Sequence, residues 1–210
     1  MNRLQAELTR VFGDPPTYPR AVVRVQVAGG QGLEAGRAEG DRLVDAGAEL
    51  VVLDSEAESN GVRAALALLL DLEPVQVTDR SAVDWGTQVV EVRTRVRQGR
   101  QLLGDPGALL DALGDPALAR LSGLVERLTE RQTPVLLGGG TATAAAVLLV
   151  TRRSPGADQW LLAGSTPDDP HAQAALAAAG LQPLLDLGLG AGGADLAVGL
   201  VRSGLEAMGA

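Results

Sequence analysis

The sequence predicts an α/β protein whose open, mostly parallel sheet is covered by helices on both faces, a Rossmann-like three-layer arrangement. Short apolar runs alternate with helical patterns along the chain, and turns rich in glycine and proline separate them. The length of 210 residues is enough for one large core. Because aromatic residues make up only 2% of the chain, leucine, valine and alanine have to form that core.

The first half of the chain begins with a polar, amphipathic helix and an extended apolar run, followed by a helix and a buried strand. A further helix, a short strand and a long amphipathic helix come next. These predicted elements cover, in order, residues 3–11, 21–27, 34–46, 49–53, 61–70, 74–77 and 87–103. In the helix predicted over residues 87–103, arginines alternate with apolar residues, which favours a solvated helix face over a nucleic-acid surface.

The second half continues the alternation with two helices, then a strand, a helix, a strand, a helix, a strand and a final helix. The two helices are a short one near residue 108 and a longer one over residues 117–131. The remaining elements are predicted over residues 134–137, 141–150, 159–163, 170–179, 183–187 and 195–208. The turns between elements are too short for a domain linker, and the sequence divides into an N-terminal helix and extended segment, 1–31, and an α/β domain, 32–210.

Composition excludes several kinds of chemistry. The chain has no cysteine and no lysine, which excludes disulfides, thiolate metal sites, cysteine nucleophiles and Schiff bases. Its only histidine, His171, cannot form a histidine cluster. With a net charge of -8, no long apolar stretch and no secretion-type start, we expect a cytoplasmic protein without a cofactor that binds neither nucleic acid nor membrane.

Two glycine-rich segments precede predicted helices. Gly138, Gly139 and Gly140 follow a buried strand and lead through Thr141 into an alanine-rich helix. Gly192 and Gly193 precede the last helix. Since the first amides of a helix are unpaired and glycine permits close approach, both segments are candidate anion sites, although a plain tight turn explains the first equally well.

Carboxylates follow a strand or begin a helix at two positions. Asp54, Glu56 and Glu58 follow the strand over residues 49–53, where such a group furnishes a general base, binds a metal or is simply an acidic solvated loop. Asp195 is either a catalytic carboxylate or the N-cap of the last helix. His171, at another predicted helix start, is a surface histidine or a ligand contact.

Residues 134–147 and 172–189 resemble the nicotinate-nucleotide:dimethylbenzimidazole phosphoribosyltransferase family of cobalamin lower-ligand assembly. The sequence Val135-Leu136-Leu137 with the following glycines, threonines and alanines matches the family's segment, except that Gly138 replaces an aspartate. The sequence GLQPLLDLG, over residues 180–188, matches a second family segment, and weaker similarity begins near residue 32.

The resemblance implies transfer of phosphoribose from nicotinate mononucleotide to the nitrogen of an aromatic base, in a protein that tends to dimerise. It makes Asp195 and Glu56 the candidate bases, because the family's late glutamate falls at Gly193. It also implies ligand contacts at Gly138, Gly139, Gly140, Thr141, Asn60, Gly192 and Gly193. Because the family's late glutamate is replaced by Gly193 and the loop over residues 54–58 is acidic, we expect reduced or altered activity. The alternative is a non-catalytic binding or partner protein that keeps the family fold.

Overall fold

The computed structural model describes residues 3–28, 31–55, 57–188 and 193–209. These residues form one sheet of four parallel strands, β1 to β4, whose spatial order follows the chain. The strands are β1 Val22–Gln26, β2 Leu50–Asp54, β3 Val135–Leu137 and β4 Leu161–Ala163. Val52 of β2 lies beside Arg24 on one side and Leu136 on the other.

The described helices fill the connections between the strands and both ends of the chain. They are α1 Arg3–Phe12, α2 Leu33–Asp45, α3 Asn60–Leu70, α4 Trp85–Gly99, α5 Pro106–Leu113, α6 Pro116–Glu130, α7 Thr141–Arg153, α8 Pro170–Ala178 and α9 Gly193–Ala207. None of these helices is long and apolar enough to cross a membrane.

Side chains that alternate along the strands divide the core into two layers. Leu50, Val52 and Leu136 pack with α1 and α9 on one face of the sheet. Val51 and Leu53, with their neighbours on β3 and β4, pack against the connecting helices on the other face. Because successive side chains of a strand point to opposite faces, a strand covered on both faces is apolar throughout. The predicted three-layer α/β fold is confirmed.

Aspartate-proline pairs begin three of the helices. Asp105, Asp115 and Asp169 cap α5, α6 and α8, and each carboxylate accepts a hydrogen bond from a backbone amide of the first turn. Proline follows each of them, at a position where its missing N–H costs nothing and its fixed φ suits the helix. These local sequences explain why the starts of the three helices lie close to the predicted ones.

The α2–α6 interface brings two helix backbones into close contact. A Cβ on Gly123 of α6 would lie 2.0 Å from the carbonyl oxygen of Leu33, and one on Gly36 of α2 would lie 2.0 Å from that of Arg120. Only glycine fits at such distances, since real Cβ atoms do not approach an oxygen so closely. The small side chains predicted from composition therefore have a specific packing role here.

Ion pairs flank this close contact along the two helices. Glu126 is nearly buried and accepts from Arg37 at 2.7 Å. Asp41 accepts from Arg127 at 2.7 Å and from Arg131 at 2.9 Å. The hydrogen bond from Arg127 is the main reason why the pKa of Asp41 lies below its ordinary value. The α2–α6 interface thus pairs its charges while it excludes side chains from its centre.

Two of the predicted strands are absent from the described residues. Residues 74–77 form a turn instead, in which the amide of Gln76 donates to the Glu73 carbonyl oxygen at 2.8 Å and Thr78 Oγ1 donates to the Pro74 carbonyl oxygen. Residues 183–187 lie beside the end of β4 without forming a strand: the amide of Leu184 donates to the Ala163 carbonyl oxygen at 2.8 Å, and Leu185 forms a bridge with Ser165. Runs of four or five apolar residues are too short for periodicity to separate a strand from a turn.

The predicted boundary at residue 31 falls between β1 and α2. Leu8 and Val11 of α1 are buried with residues of α9 and the central strands, and β1 pairs along its length with β2. Segments on both sides of the boundary therefore pack into one unit, and the division into two parts stays a prediction.

Candidate active site

A cleft of about 180 Å³ opens at the carboxyl edge of the sheet. Its walls come from the first turns of α3, α7 and α8 and from the turn over residues 76–79. Ligands of open α/β folds bind beyond the carboxyl ends of the strands, and helix N-termini there favour negative charge. We therefore regard this cleft as the candidate active site.

The wall formed by α3 is held by side chains that cap the helix. Ser59 Oγ accepts from the amides of Gly61 and Val62 at 3.0 and 3.1 Å, and it donates to the carboxylate of Asp115. Asn60 donates through Nδ2 to Glu91 Oε2 of α4 at 2.7 Å. The first turn of α3 is thus fixed to α4 and to the cap of α6, and the amide of Asn60, a predicted ligand contact, is directed to α4.

The predicted glycine loop leads into α7, whose first residue, Thr141, lines the cleft. The amide of Gly138 donates to the Leu53 carbonyl oxygen at 2.8 Å and so extends the β2–β3 ladder. A Cβ on Gly138 would lie 2.4 Å from Asp54 Oδ1, and one on Gly140 would lie 1.9 Å from the Ser55 carbonyl oxygen. Gly140 is the N-cap residue of α7, and no side chain caps this helix start beside the cleft.

Two buried hydroxyl groups follow the ends of β3 and β4. Thr143, in the first turn of α7, and Ser165, just beyond β4, are both 0% exposed. Neither Thr143 Oγ1 nor Ser165 Oγ has a hydrogen-bond partner within the described part of the chain. A buried hydroxyl without a partner costs about 1–3 kcal/mol, so the carboxyl edge carries polar groups that the fold itself does not satisfy.

The wall formed by α8 contains an aspartate-histidine pair. Asp169 Oδ1 accepts from the amides of His171 and Ala172 at 2.6 and 3.1 Å, which fixes the carboxylate at the helix start. The same oxygen lies 3.3 Å from His171 Nδ1. His171 is about one-third exposed and lines the cleft, so the ligand-side alternative for this residue has structural support.

Charges of both signs face the cleft. Glu58, Asp79 and Asp169 contribute carboxylates, while Arg63 and His171 contribute the basic groups. Ser81 donates to Asp79 Oδ1 through Oγ and N, and these two hydrogen bonds lower the pKa of Asp79. Among the described residues, no group of three histidine or acidic side chains could hold a metal ion.

The predicted catalytic carboxylates do not meet in this cleft. Asp195 is the third residue of α9 and pairs with Arg24 of β1 at 2.7 Å, with both side chains more than half exposed. Gly193 begins α9 and is buried. Glu56 and Gly192 lie outside the described residues.

Sequence reasoning missed one residue of the cleft and two buried hydroxyls near the carboxyl edge. Arg63, Thr143 and Ser165 were not predicted as site residues. Arg63 lies one helical turn beyond Asn60, a spacing that places two residues on the same side of a helix, and Ser165 follows a predicted strand. Those signals would have found two of the three; the burial of Thr143 depends on how α7 packs.

Comparison with known proteins shows where this architecture recurs. A family model described as phosphoribosyltransferase, DBI_PRT, matches residues 21–210. The nicotinate-nucleotide--dimethylbenzimidazole phosphoribosyltransferase of Mycobacterium avium (strain 104) is 37% identical over 185 residues, which cover 84% of this chain and 53% of the relative. The protein of the same name from Mycobacterium tuberculosis (strain ATCC 25618 / H37Rv) is 36% identical and is covered to 51%.

A solved structure agrees with this match. The crystal structure of CobT from Thermus thermophilus superposes with a TM-score of 0.66 at 30% identity, over 84% of this chain and 55% of that one. The chain therefore spans about half the length of the relatives that it matches.

Proposed function

This chain belongs to the phosphoribosyltransferase family, and from that membership we propose that it transfers phosphoribose from nicotinate mononucleotide to a ring nitrogen of an aromatic base. The base is of the dimethylbenzimidazole type, and the reaction belongs to cobalamin lower-ligand assembly. The observation that carries the proposal is the cleft, where Thr141 opens α7 without a side-chain cap beside Arg63.

The phosphate of the nucleotide binds at the start of α7. Gly138, Gly139 and Gly140 bring the backbone to the cleft, and the first amides of α7 with Thr141 supply donors at the positive end of the helix dipole. Arg63 adds a guanidinium whose Nη1 is positioned by a 2.5 Å hydrogen bond to Gln88 Oε1. Gly192 and Gly193, before α9, are the second proposed ligand segment.

The carboxylates of the cleft reduce the activity. Glu58 and Asp79 face the same space as Arg63. The positive charge of Arg63 raises the affinity for a phosphate, whereas the negative charges of the two carboxylates lower it. The proposal therefore includes a weak affinity for the nucleotide and a slow or altered reaction. We further propose a cytoplasmic homodimer, for which light scattering after gel filtration gives the mass in solution.

Overnight incubation of concentrated protein with nicotinate mononucleotide and a panel of aromatic bases tests the activity, with products identified by mass spectrometry. We expect a protein-dependent ribazole phosphate peak with dimethylbenzimidazole. Thr141→Ala should raise KM for the nucleotide about 10-fold, because it removes a donor to the phosphate. Thr94→Ala is the matched control, since Thr94 Oγ1 bonds the Val90 carbonyl oxygen on the exposed side of α4.

No product with any base from folded wild-type protein would contradict the proposal. Asp195→Asn belongs in the same series: an unchanged rate removes the predicted catalytic role of Asp195, in keeping with its ion pair to Arg24.

The second candidate function is a non-catalytic binding or partner protein. The carboxylate of Asp54 lies against Gly138, at the loop where a phosphate would approach, and this contact favours the second function. A stable complex with a full-length family member in a pull-down, together with no turnover, would support it.

A further inference from the structure

We propose that His171 is the group that accepts the proton of the aromatic base, with Asp169 as its positioning residue. The inference rests on the proposed transferase function and names a residue for the step that Asp195, which pairs with Arg24 and does not line the cleft, is not placed to perform. Two observations carry it: His171 lines the cleft, and a fixed carboxylate stands behind its ring.

The carboxylate of Asp169 determines which ring nitrogen faces the substrate. Asp169 Oδ1 is held by the amides of His171 and Ala172 and lies 3.3 Å from His171 Nδ1. The negative charge 3.3 Å from Nδ1 favours a proton on that nitrogen, which leaves Nε2 as the acceptor. When Nε2 takes up a proton, the negative charge of Asp169 stabilises the imidazolium.

The other titratable groups of the cleft are less suited to this role. The two hydrogen bonds from Ser81 lower the pKa of Asp79, which makes this carboxylate a weaker base. Asp169 is committed to the cap of α8. Glu58 faces the cleft as well, but a general base works best when its proton affinity is matched to neutral pH, as that of an imidazole is and that of an ordinary carboxylate is not. Arg63 lines the cleft too, but a guanidinium has no acceptor atom for the proton.

The step balances without a further reactant. One ring nitrogen of the base attacks C1′ of the ribose, and the bond between C1′ and the pyridinium nitrogen of nicotinate mononucleotide breaks. The electron pair of that bond returns to nicotinate, which leaves with a neutral ring nitrogen. The proton on the other nitrogen of the base passes to His171 Nε2 and from there to water.

Kinetics of four variants, measured with nicotinate mononucleotide and dimethylbenzimidazole between pH 5 and 9, test the proposal. His171→Gln should lower kcat about 100-fold and leave KM for the nucleotide nearly unchanged. In the wild type, kcat/KM should fall toward acid pH by more than the titration of the substrates explains, and His171→Gln should remove this additional fall. Asp169→Asn keeps the helix cap, because asparagine caps equally well, and should lower kcat about 10-fold.

Asp105→Asn is the matched control. Asp105 caps α5 in the same Asp-Pro context but lies outside the cleft, so its loss of charge should leave kcat and the pH profile unchanged. Glu58→Gln addresses the competing carboxylate: if Glu58→Gln removes the additional fall toward acid pH and His171→Gln does not, Glu58 is the base and the proposal is overturned.

Nuclear magnetic resonance gives a readout that does not depend on turnover. Because His171 is the only histidine, its imidazole signals in the full chain need no assignment by mutagenesis. Dimethylbenzimidazole added to the protein with nicotinate mononucleotide should shift them, and His171→Asn serves as the second variant if His171→Gln does not fold. Absence of any shift at saturating base overturns the inference.

The two levels of the proposal fail in different ways. If the wild type turns over and His171→Gln keeps its kcat and pH profile, only the role of His171 is lost. If folded wild-type protein makes no product with any base, the transferase function and the role of His171 are lost together.

Discussion

The α2–α6 interface and the cleft at the carboxyl edge both place backbone against glycine, but they treat polar groups in opposite ways. In the interface, nearly buried Glu126 is paired with Arg37, and elsewhere on α6 the hydroxyl of buried Thr129 bonds two carbonyl oxygens of its own helix. In the cleft region, the hydroxyls of Thr143 and Ser165 are buried without a described partner. The first region pairs its buried polar groups, whereas the second holds two buried hydroxyls without a partner among the described residues.

The largest expected effect comes from filling the centre of the α2–α6 interface. Gly123→Ala places a Cβ 2.0 Å from a backbone oxygen, so α2 and α6 have to separate. We expect a loss of about 3 kcal/mol or more in the free energy of unfolding, because overpacking against backbone cannot be relieved by a rotamer change. Urea unfolding followed by circular dichroism measures it.

Gly199→Ala is the control for that substitution. Gly199 lies in α9, and a methyl group added there would have nothing within 4 Å, so alanine should stabilise the protein by about 0.5–1 kcal/mol through helix propensity. Equal effects of the two substitutions would show that the close approach of α2 and α6 contributes nothing specific.

A pair of threonine substitutions gives the next largest effect and sharpens the comparison. Thr143→Val removes a buried hydroxyl that has no partner among the described residues and should raise the free energy of unfolding by about 1 kcal/mol. Thr129→Val, in α6, removes a buried hydroxyl that is hydrogen-bonded and should lower the free energy of unfolding by about 0.5–1.5 kcal/mol.

Thermal unfolding compares both valine variants with the wild type. The same sign of the stability change for both would mean that the hydroxyl of Thr143 is satisfied in the folded protein, and the contrast between the two regions would disappear.

The smallest effect concerns pH. Arg127 and Arg131 lower the pKa of Asp41 from its ordinary value of 3.8, so the folded state binds the proton less tightly than the unfolded state. The stabilisation is fully present above that ordinary value and is lost as the pH falls through the lowered folded-state pKa. Asp41→Asn should therefore be slightly less stable than the wild type at pH 7, and the difference should vanish in acid.

Asp111→Asn, on the exposed side of α5, is the control for Asp41→Asn. Chemical unfolding between pH 2 and 7 compares the two variants with the wild type, and the Asp41 difference should shrink toward the acid end. A difference for Asp41→Asn that persists at the acid end would mean that the side chain acts through packing and not through its charge.

Much of the fold could be predicted because its causes are local. The apolar sequences of β2 and β3 mark buried strands, and the Asp-Pro pairs at Asp105, Asp115 and Asp169 mark helix starts. Residues 74–77 could not be separated from a strand, since the turn depends on Thr78 and Gln76 reaching back to the backbone.

The site could be predicted only in part, for the same reason. Gly138, Gly139, Gly140 and Thr141 lie at the carboxyl edge because strand, loop and helix are contiguous in sequence. The pairing of Asp195 with Arg24 joins opposite ends of the chain, and no local pattern indicates it. The burial of Thr143 and Ser165 likewise arises only when separate helices and strands pack together.

The strand order has a consequence for how the chain acquires this structure. Since β1 to β4 are neighbours in sequence order, each strand can add to the edge left by the previous one. The step from β2 to β3 differs, because residues 55–134, with helices α3 to α6, come between the two strands. Closing that long loop is entropically the most costly event of assembly, so we expect the docking of β3, together with α6 onto α2, to limit the folding rate.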